Sequence, residues 1–469
     1  RYHRLGGTID DAAGEAFDVS PQNIESHTVR YTMPGGLKVA LLPKKTRGEV
    51  VNLLLTLRYG DLKTLQGQTI VGEFLPTLMT RGTKSHTRTQ LTDALAELRA
   101  TIAGSGDRRS PGEASFSIQA TRTTLPKVLE LLGQVLRQPT LPEKELALMK
   151  QRALTGLEQE KSEPQPLALR KLRRTFRPYA KSDPRYEPTI AGEIAMVESL
   201  TREQIVALYQ RFLGGAEGEL AVVGDFDAKT IRPQLAALVG DWTARTGYRH
   251  IASRGDLPYK PGASKIQTPD KANAVYFAGI VFPMKDTHPD YPSLVMANYI
   301  LGGGSLASRL GDRVRQKEGL SYGIRSYFNA ASVDQRGSLT IAAISNPVNV
   351  PRVVVVIQEE MQKLITSGVT PAELAAAQKG YLQSSRVSRT SDGRLTGILA
   401  ESLFANRTLA HQAELEKQVA STTTKGVLAA VRKYFNPAKL VVVTAGDFSK
   451  KSAPATKTPG KKKSKSKAP

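Results

Sequence analysis

Residues 199–227, SLTREQIVALYQRFLGGAEGELAVVGDFD, read as a helix opened by a polar cap, a glycine turn and a buried strand that closes on Gly-Asp-Phe. Residues 420–449, ASTTTKGVLAAVRKYFNPAKLVVVTAGDFS, repeat that plan. Gly224, Asp225 and Phe226 correspond to Gly446, Asp447 and Phe448, and Phe212 falls on Tyr434 at the same offset. A match that runs through helix, turn and strand in order, at so long a period, indicates two duplicated domains rather than a solenoid. The implied division is an N-terminal extension 1–21, a first domain 22–245, a linker 246–270, a second domain 271–448 and a tail 449–469.

Outward from the repeat, GGLKVALLPKK and EVVNLLLTLRYGDL are rich in Val and Leu over strand lengths and read as neighbouring strands. IVGEFLPTLMTRGT reads as a helix interrupted by Pro76, and SPGEASFSIQAT as a strand. TTLPKVLELLGQVLRQPTL and LPEKELALMKQRALTGLEQEKSE carry helical periodicity. The second half opens in kind, with ANAVYFAGIVFP as a strand of period two, then the apolar helix YPSLVMANYILGGG stopped by glycines. SYGIRSYFNA and GSLTIAAIS read as paired strands, followed by two helices that start at Pro and Thr. The expected fold class is therefore α+β: two homologous domains, each a mixed or antiparallel sheet packed with helices. The Pro- and Gly-rich stretch 252–270 is expected to cross the surface between them.

Composition narrows the chemistry. The chain of 469 residues has 40% apolar residues, enough for two cores, and no apolar run of bilayer-spanning length. It holds no cysteine, which excludes disulfides, thiolate-bound zinc and thiol catalysis. The first residue is Arg1 and not Met, so a removed export signal and a periplasmic location are expected, with the cytoplasm as the alternative. Of the formal charge of +23, a large share sits in the lysine-rich segment 449–469, which lacks the apolar side chains to fold and is expected to be disordered. Aromatic residues do not interleave with the basic runs, so nucleic acid is not an expected partner. No Gly-x-Ser-x-Gly elbow is present to support a serine hydrolase.

LKVALLPKK, EVVNLLLTLRYGDL, GEFLPTLMTRGT and GGGSLASRLGDRVRQKEGLSYGI together resemble the insulinase/pitrilysin family of metallopeptidases over about residues 25–448. The nearest likeness is to its short, two-domain, processing-peptidase-like paired subunits. The resemblance implies that a helix near residues 70–80 would carry His-x-x-Glu-His in a catalytic member. Positions i, i+3 and i+4 share one helical face, so two imidazoles can hold one zinc while the carboxylate activates its water. In this chain those positions fall on Glu73, Pro76 and Thr77, and both imidazoles and the general base are missing. The family's third ligand falls near Leu154–Gly156, in a stretch, Gln151–Leu157, without an acid. No metal site is therefore assigned to this chain.

The same resemblance assigns Arg315 and Tyr322 to a substrate-facing, catalytic role, with the glycine loop Gly302, Gly303, Gly304 and Ser305 touching substrate. A guanidinium and a phenol can hold a peptide carbonyl or the oxyanion formed as water attacks. The residues also have a purely structural reading. Ser305 can cap a helix with an apolar stripe of Leu306, Leu310 and Val314, ended by Gly319, and the glycines can serve a tight turn. The implied function is a non-zinc subunit of a heteromeric zinc metalloendopeptidase, inactive alone and paired with a homologous zinc-bearing subunit around a peptide or unfolded protein. The competing reading is a noncatalytic scaffold of the same fold.

Overall fold

The structure, a computed structural model, describes residues 17–304 and 307–449. The first sheet holds β1 (Val29–Thr32), β2 (Lys38–Pro43), β3 (Val50–Arg58), β4 (Thr101–Ser105), β5 (Glu113–Thr121) and β6 (Gly218–Gly224), in the order β1-β2-β6-β3-β5-β4. The second holds β7 (Gly262–Gln267), β8 (Ala274–Phe282), β9 (Ser321–Ala330), β10 (Gly337–Ser345) and β11 (Val441–Gly446), in the order β7-β11-β8-β10-β9. Only β2–β6 and β7–β11 run parallel. Strand for strand, β2-β6-β3-β5-β4 matches β7-β11-β8-β10-β9, so the two halves share one topology. The repeated helices Arg202–Phe212 and Thr424–Tyr434 are each capped by a threonine, Thr201 and Thr423, whose hydroxyl accepts a backbone N–H from the first turn.

Each sheet is covered on one face by helices of its own half. Leu75, Leu78, Val128, Leu132 and Ile205 pack on the first sheet, and Leu294, Val353, Ile357, Val427 and Val431 on the second. The opposite faces are covered reciprocally. The helix Pro164–Phe176 of the first half lays Ala168, Leu172 and Phe176 on Val275, Phe277, Val441 and Val443 of the second sheet. The helix Asp392–Phe404 of the second half lays Leu395, Leu399 and Leu403 on Ala40, Leu42, Ala221 and Val223 of the first. Polar contacts fix its ends: Lys44 pairs with Asp392 at 2.6 Å, and the Phe404 ring lies 3.8 Å from the Arg58 guanidinium. Gly279 lets the other helix approach, since a Cβ there would stand 2.9 Å from the Phe176 ring.

Four sequence expectations change. β2 and β3 are not neighbours, because β6, arriving from far along the chain, inserts between them. β8 was expected to alternate, yet it is buried at all nine positions, as is β6 at all seven, because both faces are covered. Pro76 does not interrupt its helix, which is continuous over Thr69–Met79. The missing N–H at Pro76 falls where the helix lies against β4 and the residue that follows it, whose Gly104 and Gly106 leave space for the backbone of residues 72–76. Residues 262–267, inside the stretch read as linker, form the edge strand β7 against β11. The tail expectation lies outside the described residues, except Ser449.

Because Leu399 is fully buried in a core contributed by both halves, Leu399→Ala should lower unfolding stability by about 2–5 kcal/mol in urea titration. A loss below about 1 kcal/mol would show that this helix is not part of the first sheet's core.

Candidate functional site

The structure brings Arg315 and Tyr322 together in the lining of one cavity of about 420 Å³. Its floor is the outer face of β9 and β10, and its side is the helix Pro164–Phe176, which contributes Gln165 and Leu169. Arg325 and Tyr327 of β9 also line it. Tyr322 is 70% exposed because the β9–β10 register shifts between Ile344 and Ser345, a bulge that turns the ring outward. Ser321 holds the bulge, donating to the carbonyl oxygens of Gly323 at 2.8 Å and Ile344 at 2.7 Å. The lining has guanidinium, phenol and amide groups but no carboxylate or imidazole. Such a surface can donate hydrogen bonds to a carbonyl or an anion, and its own side chains offer no base to activate water.

Arg315 is presented by a segment that its neighbours pin. Arg309 forks onto Glu373 at 2.7 and 2.8 Å, and Arg313 reaches Glu318, Glu359 and Glu360 at once. Its hydrogen bond to Glu360, with those to Glu318 and Glu359, raises the Arg313 guanidinium pKa. The turn Gly311–Lys317 is widened to a π-type spacing, with Leu310 and Val314 buried below it. Among the described residues no side-chain hydrogen bond or ion pair engages Arg315 or Tyr322, so their side-chain donors are available.

The glycines lie elsewhere. The helix Tyr291–Asn298 continues into a second widened turn, Tyr299–Gly303. Gly302 is buried against β9, where a Cβ would meet the Ser326 nitrogen at 2.7 Å, and a Cβ on Gly304 would meet the Tyr299 carbonyl at 2.8 Å. These two serve close packing, and none of the three lines the Arg315–Tyr322 cavity. Ser305 lies outside the described residues.

At the segment where the resemblance would place a metal motif, the donor set does not fit zinc. Thr77 donates its hydroxyl to the Gly104 carbonyl at 2.9 Å, Pro76 offers no side-chain donor, and Glu73 faces the Arg108 guanidinium 4.0 Å away. A dication there would meet that fixed positive charge. Burial pushes the Glu73 carboxyl above the ordinary carboxylate range despite Arg108, and its Oε2 makes no hydrogen bond. Around it runs a network that sequence reading missed: Arg108 pairs with Glu187 and Glu193, and Arg170 with Glu193 at 2.5 Å and Glu160 at 2.8 Å. Among the described residues no three His, Asp or Glu side chains converge to hold a metal.

Two family models match the chain: "Insulinase (Peptidase family M16)" over residues 40–189, and "Peptidase M16 inactive domain" over residues 199–381. The chain belongs to the insulinase family. Among M16 relatives it is 26% identical over 332 residues to the "Probable inactive metalloprotease YmfF" of Bacillus subtilis, covering 64% of this chain and 72% of that one. A peptidase M16 inactive domain from Pseudomonas fluorescens superposes with a TM-score of 0.77 at 22% identity, over 89% of this chain and 97% of that one. The periplasmic protease PqqL of Escherichia coli superposes with a TM-score of 0.68 at 16% identity, over 90% of this chain and 46% of that one. The M16 fold and the inactive relatives support a non-catalytic chain of this family. Among the described residues no helix is long and apolar enough to cross a membrane.

The Arg309 fork, followed by the Thr370 backbone N–H, holds the Glu373 carboxyl at about 2, down from 4.5. Its contribution is therefore complete above pH 4.5 and is lost as pH falls from there toward 2. Glu373→Gln should cost on the order of 1 kcal/mol at neutral pH and flatten the acid loss of stability in that window, read by denaturant titration at each pH. An unchanged acid limb would contradict this.

Proposed function

We propose that this chain is the non-zinc subunit of a heteromeric zinc metalloendopeptidase. It closes one side of a peptide chamber, and Arg315 and Tyr322 hydrogen-bond the substrate carbonyl and the oxyanion that develops on it. A homologous subunit supplies zinc, its ligands and the base that activates water. The observation that carries this reading is a cavity with two unengaged donors and no base, in a chain whose Glu73–Thr77 segment offers one carboxylate, set against Arg108, and no imidazole.

Donor position supports the role. Arg315 stands on a segment fixed by Arg309 and Arg313, and Tyr322 on a strand bulge fixed by Ser321, so neither backbone must reorganise as charge develops. β9 is an edge strand, which suits an extended peptide lying beside it. The likeness to a periplasmic protease supports a periplasmic location for this chain too.

Purified alone, the chain should bind no zinc and cleave no peptide, and activity should appear on mixing with a same-fold subunit bearing His-x-x-Glu-His. In that complex Arg315→Ala and Tyr322→Phe should each lower kcat/KM by about 10²–10³-fold with co-elution on gel filtration unchanged. Full activity in both variants would instead identify the chain as a scaffold. Chelator-sensitive cleavage by the lone chain would overturn the division of labour.

A further inference from the structure

A second, smaller cavity of about 170 Å³ opens where the loop before β5, the segment after the helix Pro164–Phe176 and the β9–β10 turn meet. Arg109, Arg177, Arg185 and Arg336 line it, together with Tyr179 and Ser253. The carboxylates in its lining, Glu113 and Asp334, and those behind it, Asp107 and Asp183, are engaged unevenly. Asp107 holds Arg109 and Asp183 holds Arg185, each at 2.7 Å. Glu113 pairs with Arg58 at 2.7 Å, and Asp334 accepts from His250 at 2.7 Å and from the Ser253 N–H at 2.8 Å.

Two guanidiniums are left. The carboxylate oxygen paired with Arg177 is Glu187 Oε2, 3.8 Å away, and Glu187 also faces Arg108. Arg336 pairs with no carboxylate among the described residues and donates to the Arg254 carbonyl at 3.0 Å. Burial pushes both guanidiniums down in pKa; at Arg177 the Glu187 carboxylate opposes this and Arg109 adds to it, while at Arg336 the Arg177 charge adds to it against weaker opposition from Tyr179 and Asp334. Partly buried like charges around an open space are unfavourable unless an anion completes them.

We propose that this cleft is an oxyanion site in which Arg177 and Arg336 clamp one phosphate or carboxylate group. Guanidinium forks match both anions through paired, charge-assisted hydrogen bonds. The cavity is smaller than the ~300–1,000 Å³ sites that take drug-sized ligands, so a single compact anionic group fits. Tyr179, its ring 4.2 Å from the Arg185 guanidinium, adds a phenol donor at the wall. Both halves of the chain contribute, Arg177 from the first and Arg336 from the second, so occupancy also bridges them. The site does not depend on the peptidase reading and needs no partner subunit.

Calorimetric titration of the full chain at constant ionic strength tests it, with inorganic phosphate and with one short peptide in free-acid and amidated forms. Saturable binding of phosphate or of the acid peptide is expected, at least about tenfold weaker in Arg177→Gln and in Arg336→Gln. Preference for the acid over the amide identifies a peptide terminus as the source, and phosphate binding without that preference identifies a free phosphate. As a readout on unaltered protein, whichever of phosphate and the acid peptide binds should slow phenylglyoxal modification of Arg336, measured by mass spectrometry. No saturable binding, wild-type affinity in both variants, or no protection of Arg336 overturns the proposal.

Discussion

Burial of both faces of the central strands is the constraint on which the rest of the molecule depends. β6 and β8 present apolar side chains above and below, and a sheet with two apolar faces is stable in water only when both are covered. Each half builds one cover from its own helices and takes the second from the other half, through Leu172 and Phe176 in one direction and Leu395 and Leu399 in the other. At roughly 25 cal/mol per Å² of apolar area, a few such side chains outweigh any surface ion pair at the same boundary. The duplicated domains thus act as one folded unit.

That arrangement also places the candidate site. The helix Pro164–Phe176 must lie on the second sheet to cover it, and doing so makes it a wall of the Arg315–Tyr322 cavity on one side. The same helix carries Arg170, which enters the ion-pair network beside Glu73. One element therefore connects the core, the donor-lined cavity and the ion-pair network around Glu73.

Arginine serves two opposite ends in this chain. Arg108, Arg309 and Arg313 are ion-paired with carboxylates and act as fixed crosslinks, whereas Arg315 makes no ion pair among the described residues. The difference is local charge matching rather than residue type. A guanidinium between two or three carboxylates keeps the folded geometry, and one without them can change partners when a ligand arrives.

The sequence by itself determined the duplication, since cap, turn and Gly-Asp-Phe strand recur in order, and the α+β class followed from the mixed periods. It also showed that positions 73, 76 and 77 hold Glu, Pro and Thr and no imidazole, because residue identities do not depend on coordinates. Tertiary structure decided strand order, because β6 joins β2 and β3 through hydrogen bonds to residues far away in the chain, which no local pattern encodes. It alone brought Gln165 and Leu169 to the cavity: their i, i+4 spacing marks a helical face without saying which sheet that face meets. Arg325 and Tyr327 alternate along β9 and were legible as one strand face, but the outward turn of Tyr322 rests on a bulge set by pairing with β10. Local sequence fixes what each segment can do, and long-range packing and hydrogen bonding select which of those options is realised.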